Sequence, residues 1–177
     1  MLKYADNKYQ QYFIYVALIA IDPERQGNVM LVKDCMTTKV VSVKPDMKIS
    51  NAAKMMIDYR ISGLPVTDDN NRVISMITKS DIVQLTLPSA LKRTGSDNPT
   101  LIPDVNKYLA RLNEVALKEV SLLMTKKHLH TARSDMTVSE AAVLMYANDI
   151  RRLPVVDDNG ELIGIISYSD IAAIIAE

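Results

Sequence analysis

The sequence predicts an α+β protein made of two copies of one βαββα unit. Two observations carry this: an internal repeat, and within each copy a helix-period apolar stretch followed by short extended runs. Shifting the chain by 89 positions superposes residues 46–83 on residues 135–172 without a gap, and 18 of the 38 positions are identical. A fixed-period repeat of this kind is one supersecondary unit duplicated. Upstream, Met36-Thr37 matches Met124-Thr125 at an offset of 88, which implies a one-residue insertion in the second copy.

The elements follow in the same order in both copies. Val40–Val43 and Leu129–Ala132 read as short strands. Ser50 and Ser139 stand where helix N-caps belong, and the helices Ser50–Tyr59 and Ser139–Asn148 carry apolar residues at helical spacing. Leu64-Pro65-Val66 and Leu153-Pro154-Val155 are extended runs in which the proline needs a position whose ladder N–H is dispensable. Asp68–Asn71 and Asp157–Gly160 are hairpin-turn sequences. The strands Val73–Ile77 and Leu162–Ile166 come next, and terminal helices start at Ser80-Asp81 and Ser169-Asp170. Between the copies, Pro88–Thr100 has loop composition. Val105, Leu109, Leu112, Ala116 and Val120 then mark an amphipathic helix beginning near Asp104, either a connector covering apolar surface or a partner-binding helix. The organisation is an N-terminal extension (residues 1–29), a first unit (30–87), a loop and linker helix (88–117) and a second unit (118–177).

Composition narrows the function. The 177 residues carry 21 basic and 21 acidic side chains, a formal net charge of zero. Nucleic acid is therefore not an expected partner, because a phosphate-backbone binder concentrates Lys and Arg. A single cysteine, Cys35, and two histidines cannot make an internal disulfide or a typical structural zinc site, which fits a reducing, cytoplasmic setting. His128 and His130 share one strand face without further metal ligands nearby. Tyr12–Ile21 is the longest apolar run at ten residues, about half of the roughly 20 a membrane-spanning helix needs. Asp22-Pro23-Glu24 follows it in place of a signal-peptide cleavage site, so it reads as a short element packed on the main body or on a partner. Tyr4, Tyr9, Tyr12 and Tyr15 could form an interface patch. Met30 is an alternative start, and the sequence leaves both starts open.

Each copy resembles a CBS domain, and the tandem resembles a CBS-domain pair (Bateman module). The resemblance rests on a Met-Thr opening, an Asp-Met-x-x-Ser-x-Ala-Ala helix start, a Leu-Pro-Val-x-Asp-Asp strand and turn, and an Ile-Ser/Thr-x-Ser-Asp ending, with Gly164 preceding it in the second copy. It covers about residues 30–87 and 118–177. It implies two βαββα units packed around a pseudo-two-fold axis, with clefts for an adenosine-containing ligand: AMP, ADP, ATP or S-adenosylmethionine. It implies no enzyme activity and no required cofactor, and no Walker-type loop, nucleophile–base set or metal cluster is visible in the sequence.

The resemblance also implies the site. A first cleft joins Thr37, Val41, Ser62 and Gly63 to Arg151, Ile165, Ser167, Ser169 and Asp170. A second, weaker cleft joins Thr125, His130, Arg151 and Arg152 to Ile77, Thr78, Ser80 and Asp81. The residue chemistry suits this. Hydroxyls at 167 and 169 and the unpaired N–H groups of a helix start attract an anion, and Asp170 can accept both hydroxyls of a ribose. Ser167, Ser169 and Asp170 could equally do no more than cap the last helix. Arg151-Arg152 could reach phosphate or be a solvated pair. Gly63 could hold the adenine slot open, and Ser75, standing where the second copy has Gly164, weakens the second cleft. The expectation is a regulatory or sensor module acting on an unidentified protein; the alternative is a ligand-free dimerisation scaffold. The apolar terminal helices Asp81–Leu87 and Asp170–Ala176 call for burial, and a homodimer would supply it.

Overall fold

The computed structural model describes residues 29–87, 104–124 and 129–176. The chain divides into two packing units. Residues 41–124 form one, and residues 29–40 join residues 130–176 in the other. The segment leading into each repeat thus packs with the body of the opposite repeat. The tyrosine-rich extension, the apolar run at 12–21, the loop Pro88–Thr100, Thr125 and His128 lie outside the described residues.

In the first-repeat unit, α2 (Ile49–Asp58) precedes a hairpin of β1 (Gly63–Thr67) and β2 (Val73–Thr78). α3 (Lys79–Thr86) and α4 (Val105–Ala116) follow; α1 (Val32–Cys35) lies in the other unit. α2 begins one residue earlier than its sequence implies, and Ser50 is not its cap. The N-cap is Lys48, which gives no side-chain bond; instead the Lys118 carbonyl accepts the Ile49 N–H at 2.9 Å. α4 begins where expected, with Asp104 Oδ1 accepting the N–H groups of Asn106 and Lys107 at 2.9 and 3.3 Å. Of the predicted strand Val40–Val43, only Val43 pairs, in a parallel bridge to Val66. Val43 takes the Pro65 carbonyl and the Thr67 N–H, so a parallel ladder asks nothing of the nitrogen that proline lacks. The core gathers Val43, Ile49, Ala52, Met56, Leu64, Val66, Ile77, Val115, Val120 and Leu123. Val120 and Leu123 come from the lead-in to the second repeat, tied on by Val120 N–H to the Met47 carbonyl and Ser121 N–H to the Pro45 carbonyl, both 2.8 Å.

The second-repeat unit contains α1, β3 (Ala132–Arg133), α5 (Val138–Ala147), β4 (Arg152–Val156), β5 (Leu162–Ser167) and α6 (Tyr168–Ala176). β3 runs parallel to β4, which is antiparallel to β5. The cap of α5 is Thr137 rather than Ser139. Its hydroxyl accepts the Glu140 N–H at 3.1 Å while Glu140 Oε2 accepts the Thr137 N–H at 2.9 Å, a reciprocal capping box. The turn at 157–160 closes with Asp157 Oδ1 accepting from the Asn159 and Glu161 N–H groups, each at 2.9 Å. Gly160 sits at φ +81°, where a side chain would be strained. Val32, Ala132, Ala141, Met145, Leu153, Val155 and Ile166 make the core. Val32 enters it from the lead-in of the first repeat, held by its N–H to the Met136 carbonyl at 2.8 Å.

Candidate functional site

Strand alternation sorts the second-repeat sheet into two faces. Leu153, Val155 and Ile166 turn toward the helices and the core. Arg152 and Pro154 on β4, with Ile165 and Ser167 on β5, occupy the other face, since the register pairs Arg152 with Ser167 and Pro154 with Ile165. Thr37 adds an edge beside β5 by a doubly bonded bridge, its N–H to the Ile165 carbonyl and the Ile165 N–H to its carbonyl, both 2.9 Å. Thr37, Ile165, Arg152 and Ser167 therefore share one surface.

That surface ends where β5 becomes α6. Asp170 Oδ2 accepts the backbone N–H of Ser167 at 2.7 Å and its hydroxyl at 2.6 Å. Both of these bonds use the same carboxylate oxygen. The carboxylate thus caps its helix through Oδ2. Ser169 and Arg151 are exposed, and Asp170, Ser167, Arg152 and His130 are half-buried. The Tyr168 N–H donates to the Arg151 carbonyl at 3.1 Å, which ties the two arginines to the helix start. Burial, then the neighbouring Arg151, lowers the proton affinity of the Arg152 guanidinium, while Asp170 acts in the opposite sense. An arginine remains charged through such shifts, so the site holds two cations and one carboxylate.

The first-repeat unit carries the corresponding turn. Asp81 Oδ2 accepts the Thr78 N–H at 2.7 Å and hydroxyl at 2.6 Å, and Thr78 Oγ1 accepts the Asp81 N–H at 3.3 Å. Here Ser62 and Gly63 stand in place of the arginines, with the Lys79 N–H on the Ser62 carbonyl at 3.0 Å. Ser80 is exposed. Ile77, expected to face a ligand, is fully buried in the core. Met76 pairs with Pro65 as Ile165 pairs with Pro154, so the site-face residue is Met76, one position earlier. Val41 is half-buried against the first-repeat core.

The predicted residues are thus distributed by unit. Thr37, Arg151, Ile165, Ser167, Ser169 and Asp170 stand together in the second-repeat unit with Arg152 and His130. Val41, Ser62, Gly63, Ile77, Thr78, Ser80 and Asp81 belong to the first-repeat unit. Arg152, expected among the Asp81 set, lies opposite Ser167 within the same hairpin. Counting the strand pairs outward from the turn at 157–160 would have found this. The expectation also missed Met36. A Cβ on Gly164 would come within 2.5 Å of Met36 Sδ and 3.3 Å of the Thr37 carbonyl oxygen. The glycine makes room for the lead-in segment. Cys35 lies near Asp170: burial first, then Asp170 and Asp34, push its thiol pKa up. Among the described residues no group of three or more His, Cys, Asp or Glu could hold a metal ion, and no helix is long and apolar enough to cross a membrane.

The CBS-domain family model matches residues 32–87 and 117–177. The chain belongs to the CBS-domain family. The uncharacterised protein MJ1426 of Methanocaldococcus jannaschii is 34% identical over 155 residues, 82% of this chain and 90% of its own length. Inosine-5'-monophosphate dehydrogenase of the same organism is 32% identical over 147 residues, but the chain spans only 23% of that enzyme. Among solved structures, the CBS-domain pair of protein MJ0100, in complex with 5'-methylthioadenosine and S-adenosyl-L-methionine, superposes with a TM-score of 0.63 at 27% identity. That match covers 84% of this chain and 98% of the other. CBSX2 in complex with AMP superposes with a TM-score of 0.62 at 27% identity, covering 83% and 96%; CBSX2 is from Arabidopsis thaliana. CBS pairs similar to this chain thus hold adenosine-containing molecules.

Proposed function

We propose that the chain is a regulatory module, not an enzyme, that binds an adenosine-containing ligand against the Asp170 end of the second-repeat unit. The observation that carries this is the carboxylate of Asp170 at the start of α6, fixed through Oδ2 by Ser167 in a site that also holds Arg151 and Arg152. A ribose hydroxyl donates to Oδ1. Arg151, Arg152 and the N-terminus of α6 receive an anion. The AMP-bound and S-adenosylmethionine-bound relatives support the ligand class. Two guanidinium groups favour the phosphate of AMP, ADP or ATP over the cationic sulfonium of S-adenosylmethionine. The Asp81 set, with neither arginine, is the weaker binder.

A bound ligand acts on a regulated protein by population shift, favouring the arrangement to which it binds better. The module is a homodimer in this reading. Ile57 on α2 and Val83 on α3 are 68% and 54% exposed, apolar surface that a second copy would cover. A ligand-free scaffold rests on the same Ser167–Asp170 bonds, which suffice as a helix cap. Isothermal titration of AMP, ADP, ATP and S-adenosylmethionine into the full chain separates the two: a saturable heat supports the sensor, and none from any of the four leaves the scaffold.

A further inference from the structure

The second-repeat unit is closed by a segment that the chain supplies from outside that repeat, residues 29–40. Its α1 is one turn of four residues, too short to hold its shape alone because nucleation costs more than a single turn returns. It persists by docking. Val32 is its one fully buried side chain, with Cys35 and Met36 half-buried against the same core. Lys33 and Thr37, which carry backbone bonds to the unit, are exposed. The segment that closes the first-repeat unit is tied more firmly. It buries Val120 and Leu123 and continues from α4, whose Val115 lies in the same core. Few buried side chains and exposed backbone bonds mark a segment that opens before the rest of its unit, and residues 29–40 have both.

The same segment runs from the far end of the sheet to the surface beside Asp170. Arg133 pairs with Val156, and its guanidinium with Asp158, so the turn after β3 lies at the hairpin-turn end of β4. There the Val32 and Lys33 N–H groups donate to the Met136 and Ser134 carbonyls at 2.8 and 3.0 Å. Arg152 stands at the opposite end of β4, four residue steps or about 13 Å away. From the hairpin-turn end the lead-in passes Gly164, against which Met36 packs, and Thr37 then bonds both ways with Ile165. Ile165 is two residues before Ser167, the partner of Asp170. α1 packs on β5 and α6, and Asp170 adds to burial in raising the pKa of the Cys35 thiol. Undocking would take Thr37 off that surface and break its bridge to Ile165.

We propose that residues 29–40 are the two-state element through which a ligand at Asp170 acts. The ligand binds the docked form better and so holds the lead-in on the second-repeat unit. The inference rests on the reading that Asp170 binds an adenosine-containing ligand. Thr37 belongs to the ligand-facing surface only while docked, so binding and docking favour each other, and such a coupling is reciprocal. A ligand that requires the docked form suppresses opening by about 100-fold when present at about 100 times its dissociation constant. What the ligand changes is therefore the exposure of Val32, Cys35 and Met36.

Amide hydrogen exchange of the full chain, followed residue by residue by NMR, tests it. The probe is the tightest binder among AMP, ADP, ATP and S-adenosylmethionine by isothermal titration. Without ligand, the Val32 and Lys33 amides are expected to exchange faster than those of Leu153 and Val155 in β4, the central strand of the same unit. Ligand at about 100 times its dissociation constant is expected to slow Val32 and Lys33 by at least about ten-fold. Both amides lie at the hairpin-turn end of the sheet, so a ligand at Asp170 does not shield them directly. Val32 and Lys33 exchanging no faster than β4 without ligand overturns the proposal, because the lead-in then opens only with its whole unit. Saturable binding that leaves their exchange unchanged also overturns it, while ligand binding at Asp170 stands. No heat from any of the four overturns the ligand reading, and this proposal with it.

Discussion

Asp170 and Ser167 are joined twice, through one carboxylate oxygen: Oδ2 accepts the serine N–H at 2.7 Å and the serine hydroxyl at 2.6 Å. Asp81 and Thr78 repeat the arrangement at the same two distances. In both repeats, capping and ligand recognition can therefore be divided between the two oxygens of one side chain.

The capping part has its own signature. Asp170→Ala is expected to lower stability without ligand by about 1 kcal/mol, the usual size of an N-terminal cap. Asp170→Asn, which retains an acceptor for the Ser167 N–H, is expected to lose less than half of that. Thermal melts in the absence of nucleotide measure both. Equal losses from the two variants would show that charge, not the hydrogen bond, stabilises this helix start.

Gly164→Ala is expected to cost about 1–3 kcal/mol, the range for overpacking a filled site. The new Cβ meets Met36 Sδ at 2.5 Å and the Thr37 carbonyl at 3.3 Å. Met36→Ala in the same chain should recover part of the loss. A double-mutant cycle on denaturant midpoints with no coupling between the positions would contradict the contact.

Val32 and Val120 test the exchange of lead-in segments. Each is fully buried in the core of the repeat that does not follow it. Val32→Ala should cost about 2 kcal/mol as a core truncation and raise hydrogen exchange in residues 130–176. Val120→Ala should raise it in residues 41–87. Faster exchange confined to residues 41–87 in Val32→Ala would mean that each lead-in serves its own repeat.

Cys35 gives a pH dependence. Burial and the nearby carboxylates of Asp170 and Asp34 raise its thiol pKa in the folded state. The neutral thiol is thus favoured by folding, and the stability it contributes is present below the unfolded thiol pKa of about 8.5. That stability is lost as pH rises through the higher folded value. Alkylation of the folded protein at pH 8.5 should be slower than that of the urea-unfolded chain, and Cys35→Ala should flatten the stability loss above pH 9. Equal alkylation rates would place the thiol in open solvent.

Much of this molecule is legible in its sequence because duplication displays it twice. The helix over 49–58, the hairpins around Asp68 and Asp157, and the turn from Ser167 to Asp170 all follow from local pattern. Three features do not. Ser139 reads as a cap because Thr137, two positions upstream, offers an equal hydroxyl, and Glu140 decides between them by reaching back to Thr137. Ile77 reads as a site residue, but strand alternation turns on a single position, and Met76 holds the outward one. Which repeat receives Val32 is not encoded locally at all. A short apolar lead-in fits either core, and only the bridges of Leu31 to Thr137 and Thr37 to Ile165 decide.

Isothermal titration of AMP and ATP into the parent chain and the Asp170→Asn variant tests the central claim most directly. The account predicts saturable binding to the parent that weakens in the variant by about 10- to 150-fold, equivalent to roughly 1.5–3 kcal/mol for a hydrogen bond to a charged group, with the fold intact by circular dichroism. Equal affinity in parent and variant, or loss of the tighter binding in Asp81→Ala but not in Asp170→Asn, would contradict it.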